Sequence, residues 1–552
     1  MTIKSILPAI VLWLTLPLFS QPQQTLDPEQ INQILYQHAN DETPGMAVGI
    51  IQDGQIVYEQ YLGYANLEHE AKVGPQTRFN IASNAKQFTA LCMLKLVDEG
   101  KLKLEDDIRI YLPALFPGIE EKMTISQLIT HTSGVRDYCD LLALQGESWW
   151  KQFIDNEDVI KLLESQRDLN FQPGTEFLYS NSNYILLAAI IQKVTGQKFG
   201  DYAQALFTDL GMTQTSFLTH YGKVIPHRAR PYGNWDGWIQ EPTITSVHGD
   251  GALFTTLSDQ LKWEQIIQAN DGTYLSQEIL QTTQSPISAS FAQDYGYGLM
   301  FGSRGEVDYA YHDGATSAYN ATFLRFPKKK ISIVVMGNNR NVIANHVAWQ
   351  IALEIMDWED KRAVYPGDPD KVEKLDRMQD VVGMYKGEGN DETVIKIVEK
   401  NDTLYREIYQ RDPVKLLPEK EGLFEYETIE GLKMNFTNIG KSNQQFTLYK
   451  STQKPSTYHK ISDIDMGGFD KGDLNGRFYN EETDTEIILK YVKDNTYSLT
   501  KNGRERQSEL IIADYLRMLS SYEIRAIRNS KDEVVGLNVA NNRIKNVIFE
   551  RM

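Results

Sequence analysis

The hydrophobic pattern divides the chain into stretches of different character. At the N-terminus Lys4 precedes an apolar run, Ile6–Phe19, broken by Pro8 and Pro17, and polar Gln21–Gln24 follow it. That run is short for a bilayer span, so it predicts a secretory signal peptide over 1–20, with Ser20 as the small residue at the cut. A short uncleaved anchor is the competing reading. Between Met46 and Gly63 two strand-like runs flank Asp53-Gly54, a hairpin signal. Phe88–Val97 is apolar nearly all round and Gly100 follows as a stop, the signature of a buried central helix. Ala321–Phe326 and Ile331–Met336, joined by Pro327 and three lysines, predict two more strands. Asn345–Trp358 then reads as a closing helix with one apolar face. Residues 26–360 therefore read as one mixed α/β unit.

The pattern changes after Trp358. Residues 361–376 are charged, carry Pro366 and Pro369, and read as a linker. Beyond them short strand-like runs alternate with turn residues, as in small all-β barrels or sandwiches. This half repeats itself. Gly383-Met384-Tyr385 matches Gly476-Arg477-Phe478, and 476 − 383 is 93. Lys400–Leu404 matches Lys493–Tyr497, where 496 − 403 is again 93. Leu417 and Leu510 are expected to keep that register. Two copies of one β unit, over 377–462 and 470–552, follow from these offsets.

Composition narrows the function classes. A chain of 552 residues with 41% hydrophobic and 24% charged residues is neither disordered nor a disulfide scaffold. Its net charge of −18 argues against nucleic acid or an anionic membrane surface as partners. Cys92 and Cys139 have no metal-ligand spacing. They could form a disulfide, although two buried free thiols are the simpler reading. Nothing else reaches 18 consecutive apolar residues, so the mature chain is expected to be soluble, exported and free of a stable membrane anchor.

Short motifs alone carry little here, because S-x-x-K begins at Ser83, Ser148, Ser451 and Ser498. Only Ser83-Asn84-Ala85-Lys86 opens the apolar helix. A serine there sits at the positive end of the helix dipole, and Lys86 lies one turn on over the same face. A lysine in a partly desolvated site can act as a base or position one.

From this block onward the sequence resembles the serine beta-lactamase and penicillin-recognising DD-peptidase superfamily, in its class C-like branch, over roughly residues 27–358. Gln76–Ala90 resembles the nucleophile block, and Leu128–Val135 the L-x-T-H-T-S-G signature. Tyr179-Ser180-Asn181 resembles the Y-x-N motif. Gly251–Asp259 resembles a second structural signature, and His312-Asp313-Gly314 stands where relatives carry K-T-G or H-x-G. The resemblance implies an α/β (α+β) catalytic domain, an antiparallel sheet flanked by helices plus an all-helical region. With the repeats it implies two further small all-β, lipocalin-like barrels, as in D-aminopeptidase-type members.

It also implies roles. Ser83 is the expected nucleophile, with Lys86 and Tyr179 sharing the proton work, since a lysine beside a phenol favours its ionised form. Asn181, His312 and Gly314 are expected to bind substrate, Gly314 by letting the substrate backbone approach closely. The backbone N–H groups of Ser83 and Ala315 form the expected oxyanion hole. His131 is expected to be structural, Asp313 a solvated loop carboxylate, and Trp149, Trp150, Trp235 and Trp238 packing residues rather than cleft lining. No metal or cofactor is implied.

Histidine in place of the third-motif lysine weakens the case for efficient penicillin hydrolysis. The expected activity is therefore an exported serine hydrolase acting on short D-residue or peptidoglycan-derived peptides, or other small molecules. A beta-lactamase or small-ester esterase of the same fold is the first alternative, and a non-turnover penicillin-binding sensor the second.

Overall fold

The protein is described by a computed structural model covering residues 26–552 except 288–293, 305, 357, 359–371, 389–392, 408–412, 421, 428–431, 451–452, 462–468, 519–521 and 542. The expected signal peptide and most of the expected linker lie outside the described residues.

The first unit is built on a seven-stranded antiparallel sheet. Its strands are β1 (Met46–Gln52), β2 (Gln55–Leu62), β3 (Tyr295–Gly296), β4 (Leu299–Arg304), β5 (Val307–Thr316), β6 (Tyr319–Phe326) and β7 (Ile331–Gly337). They lie in the order β3-β4-β5-β6-β7-β1-β2. The hairpin turns at Asp53-Gly54 as its sequence predicts, both residues having positive φ. Chain-distant β1 and β7 pair from Met46↔Gly337 to Gln52↔Ile331.

The strands of the sheet centre are mostly apolar because both faces are covered. Met46, Val48, Ile50, Leu324, Ile333 and Val335 pack under α1 (Pro28–Tyr36) and α5 (Ala344–Ile355). The alternate residues Ala47, Ile51, Phe323, Val334 and Met336 face the larger core around α2 (Lys86–Asp98). Helix α2 is buried on every side from Lys86 to Leu94, which explains its missing polar face. Helix α5 ends before the predicted Trp358, whose indole turns back to donate to the Ala352 carbonyl (2.9 Å).

Two closed eight-stranded barrels follow, each an antiparallel meander. In the first, Gly383–Gly387 pairs with both Val394–Lys400 and Gln453–Ile461. In the second, Gly476–Asn480 pairs with both Thr485–Lys493 and Ile544–Arg551. Side chains such as Tyr385, Phe436 and Phe446, or Phe478, Leu499 and Phe549, fill the interiors. The barrels correct one repeat match. Leu510 is buried, but Leu417 is 37% exposed and its neighbour Leu416 points inward. The inward-facing residue matching Leu510 is thus Leu416, and 510 − 416 is 94. One residue of drift moves a strand side chain to the opposite face.

The second barrel shares the large core of the catalytic unit, whereas the first has a core of its own. Its turns also dock by polar contacts. Arg136, 1% exposed, donates to the Glu482 carboxylate, to the Lys545 carbonyl (3.1 Å) and to the Asn546 carbonyl (2.6 Å). Asn170 accepts from Lys545 N (2.7 Å) and donates to the Arg543 carbonyl (3.1 Å).

Candidate active site

Ser83 lies in the short 3-10 turn Ala82–Ala85 directly ahead of α2. Ala82 has φ +46°, a left-handed conformation that is strained for a residue with a Cβ. The surroundings hold it there. Ala82 N donates to Asn80 Oδ1 (2.9 Å), Ile81 N to the Leu253 carbonyl (3.0 Å), and Asn84 Nδ2 to the Ala321 carbonyl of β6 (3.1 Å). The Ser83 side chain is therefore presented from a turn pinned on both sides.

Lys86 is fully buried one turn later. Its Nζ donates to Ser83 Oγ (3.0 Å), Asn181 Oδ1 (2.9 Å) and the Asp250 carbonyl (2.7 Å). These three polar neighbours make burial of the Lys86 side-chain nitrogen tolerable. Asn181 is the first residue of α4 (Asn181–Thr195). Its orientation is fixed by Asp137, whose Oδ2 accepts from Asn181 N (2.7 Å) and Nδ2 (3.0 Å). With the amide nitrogen so held, the amide oxygen faces Lys86. Asp137 also caps α3 (Tyr138–Gln145), accepting from Cys139 N (2.9 Å).

Tyr179 stands in the extended segment before α4. Its ring packs on His131, with centroids 4.3 Å apart, and lies 5.0 Å from Lys86 Nζ. Its hydroxyl is buried and has no hydrogen-bond partner among the described residues. Strand β5 forms the opposite wall. Its pairing with β4 ends at Tyr311, while pairing with β6 continues to Thr316, so one edge of His312–Thr316 is left unpaired in the sheet. Ala315 lies on that segment.

The second barrel contributes one further residue. Arg543, in the turn between Val534–Asn541 and Ile544–Arg551, places its guanidinium 5.0 Å from the Tyr179 ring centroid. Its Nη1 lies 3.8 Å from Asp137 Oδ2, and its N donates to Asp140 Oδ2 (3.1 Å). A continuous line of contacts thus runs from the barrel through Arg543, Asp137, Asn181 and Lys86 to Ser83. Asp137, Asp250 and Arg543 are absent from the sequence-based candidates.

Comparisons with known proteins give the family. The family model described as Beta-lactamase matches residues 32–354, more than half of the chain. The chain belongs to the beta-lactamase family. It is thus a member of a serine hydrolase family, with two closed barrels appended to the family domain. A D-aminopeptidase of Gluconobacter oxydans (strain 621H) is 31% identical over 314 residues, covering 54% of this chain and 56% of that one. This family member therefore spans little more than half the length of that curated relative. A penicillin-binding protein of Bacillus subtilis (strain 168) is 25% identical over 422 residues, covering 72% of this chain and 91% of its own. The octameric penicillin-binding protein homologue from Pyrococcus abyssi shares the fold, with TM-score 0.55 at 21% identity, over 87% of this chain and all of that one.

The third motif carries a histidine in this member of the beta-lactamase family. His312 is 1% exposed, and its Nδ1 lies 2.7 Å from the Asp313 carbonyl and its Nε2 3.2 Å from Tyr295 Oη. Burial, reinforced by the Lys86 charge, pushes its pKa down to about 3, so the imidazole is neutral at pH 7. Gly314 also meets a packing requirement: a Cβ there would overlap the Ile81 carbonyl oxygen, so the glycine lets β5 approach the turn that carries Ser83. Asp313 is not a loop carboxylate. It lies in β5, and its Oδ1 accepts from Thr322 Oγ1 (2.8 Å) and Asn345 Nδ2 (2.9 Å).

His131 is buried, and burial drives its pKa well down. Its Nδ1 faces the donors Ser180 N (3.2 Å) and Asn183 Nδ2 (3.1 Å), which puts the ring proton on Nε2. The ring thereby supports Tyr179 from behind. Cys92 and Cys139 are both free thiols. Trp149 packs against Tyr138, whereas Trp235 is 69% exposed with its indole donating to Glu241 Oε1 (3.2 Å). Among the described residues no cluster of histidine, cysteine or carboxylate groups could hold a metal ion, and no helix is long and apolar enough to cross a membrane.

Proposed function

We propose that the protein is an exported serine hydrolase that cleaves amide or ester bonds through an acyl-enzyme on Ser83. Its proposed substrates are short peptides containing a D-residue, including fragments of peptidoglycan. One observation carries the mechanism: the buried Lys86 Nζ lies within hydrogen-bond distance of Ser83 Oγ, Asn181 Oδ1 and a backbone carbonyl. Of these three neighbours only the serine hydroxyl is a nucleophile, and it stands at the N-terminal end of a buried helix.

In the proposed reaction the base is the Lys86–Tyr179 pair carrying one proton fewer than ammonium plus phenol: Ser83 Oγ attacks the substrate carbonyl, and its proton fills that vacant place in the pair. The buried, unpartnered Tyr179 hydroxyl is free to take part in that transfer. The backbone N–H groups of Ser83 and Ala315 hold the tetrahedral oxyanion, an interaction typically worth about 2.7–4 kcal/mol per donor. The leaving amine or alcohol departs with a proton, and water then releases the acid and restores Ser83. These steps need no metal or cofactor. His312 and Asn181 shape the site, His312 as a neutral wall and Asn181 as a brace for Lys86.

The neutral His312 favours a peptidase or esterase over a beta-lactamase, because it offers no positive charge to a substrate carboxylate at the third motif. The D-aminopeptidase relative supports the D-residue preference. The apolar run Ile6–Phe19 supports export. The test is to offer the purified protein a D-alanyl anilide, a chromogenic cephalosporin and a short-chain nitrophenyl ester. Turnover of the anilide or ester that disappears in Ser83→Ala is the expected result. Turnover that survives Ser83→Ala overturns the mechanism. A stable adduct on Ser83 without turnover of any of the three replaces the enzyme with a sensor.

A further inference from the structure

A cavity separate from Ser83 lies between the hairpin around Ala65–Lys72 and the loop 221–230, with a volume of about 430 Å³. Its walls carry Lys72, Lys223, Arg228 and Arg230 together with His69 and His227, and no carboxylate lines it. The chain as a whole carries −18, with 74 acidic residues against 56 basic ones. In such a chain unpaired basic groups ought to be scarce. Yet none of these four lysine and arginine side chains makes an ion pair among the described residues.

Two of the cations are held in place by neighbouring rings. Lys72 Nζ lies 3.6 Å from the Tyr64 ring centroid, and the Arg228 guanidinium lies 4.6 Å from that of Phe254. The Nε–H of Arg228 is buried and has no acceptor among the described residues. The mutual repulsion of four cations around one cavity is costly. A bound anion relieves it.

We propose that this cavity is a binding site for a small organic ligand carrying one or more phosphoryl groups. A phosphoryl group brings up to two negative charges and three acceptor oxygens, which suits a set of four cations better than a single carboxylate does. Arginine forks supply paired donors and lysines supply mobile point charges. The volume falls in the range that encloses a small organic molecule rather than a lone ion. The site is independent of the proposed hydrolase reaction, since none of its lining residues belongs to that machinery.

Isothermal titration of the full chain with pyrophosphate and with glucose 1-phosphate, using citrate as the polycarboxylate control at matched ionic strength, tests the assignment. The expected result is saturable one-to-one binding of a phosphoryl ligand that weakens as salt is raised. Lys223→Gln combined with Arg230→Gln, both exposed positions, should weaken it by about tenfold or more. Ester turnover in that variant should stay within about twofold of the parent, as the charges removed do not line the Ser83 site. Absence of saturable binding overturns the proposal, as does unchanged affinity in the double variant. Citrate binding as tightly as the phosphoryl ligands overturns the ligand class.

Discussion

Replacing Arg543 by alanine removes a cation that the second barrel sends into the Ser83 site. The guanidinium lies 3.8 Å from Asp137 Oδ2, and Asp137 is fully buried. At an effective dielectric near 20, that separation corresponds to about 4 kcal/mol of attraction. The Arg543 side chain is 36% exposed, so solvent and ions screen part of it and about 1–2 kcal/mol is the realistic loss. The loss acts at a sensitive point. Asp137 aims Asn181 by accepting from both its nitrogens, and Asn181 Oδ1 in turn fixes Lys86. Loosening this line misplaces the lysine relative to Ser83 Oγ without removing either group. The expected outcome for Arg543→Ala is a fall in kcat of about 5–30-fold with KM changed by less than about threefold.

The assay is steady-state hydrolysis of a nitrophenyl ester or D-alanyl anilide, with the unfolding midpoint measured on the same samples. Arg543→Lys keeps the charge but loses the planar fork, so it should recover part of the rate. Asp137→Asn should fall below Arg543→Ala, because it removes the charge and leaves one acceptor oxygen where two are in use. An Arg543→Ala enzyme with parental kcat would refute the claim that the barrel positions the catalytic lysine. A change confined to KM would also refute it, pointing to substrate contact instead.

Three other outcomes follow from the geometry. Gly314→Ala sets a Cβ against the Ile81 carbonyl, so it should cut ester turnover more than about a hundredfold by displacing β5 from the nucleophile turn. Glu264→Gln leaves Arg325 without its buried partner, to which it donates from Nε (2.8 Å) and Nη2 (2.7 Å), and should cost about 3–5 kcal/mol by urea unfolding. Stability should also fall below about pH 6.5, because His312 titrates near 3 when folded and near 6.5 when unfolded, so the unfolded chain binds more protons in that window. His131 and His248, also lowered by burial, act in the same direction. Asp140, pushed up to about 6 by burial and by Asp137, acts in the opposite sense between pH 4 and 6. His312→Gln should therefore flatten only part of the acid decline, as read from urea midpoints at pH 7.5 and 5.

Local pattern made much of the fold readable before any coordinates. Asp53-Gly54 between two strand-like runs allows few alternatives to a hairpin. A helix such as α2, apolar on all sides, can only be central. The nucleophile block was readable for the same reason, since the serine and lysine are one turn apart on that helix. The barrel repeat was visible through its turns. It slipped at Leu417, because one extra residue leaves composition unchanged while turning the side chain outward. Gly314 was singled out as a necessary glycine, but its packing role was not legible. The carbonyl it must clear belongs to Ile81, 233 positions earlier in the chain.

The residues that sequence reasoning missed share one property: their significance comes from a partner far away in the chain. Asn541-Asn542-Arg543 is readable as a turn, yet no local pattern connects it to Tyr179 or Asp137. Arg136 and Asp137 look like an ordinary charged pair after the T-S-G signature. In the folded chain they divide two tasks. Arg136 clamps the second barrel through the Lys545 and Asn546 carbonyls, while Asp137 orients Asn181 toward Lys86. The same short segment thus joins barrel docking to lysine placement. The second barrel is thereby tied to the Ser83 site, and its hydrophobic core is continuous with that of the first unit. The first barrel has a separate core, so truncations of the two barrels should not be equivalent. Loss of the second takes Glu482 and the Lys545 and Asn546 carbonyls from Arg136 and Arg543 from Asp137, whereas loss of the first leaves that line of contacts in place.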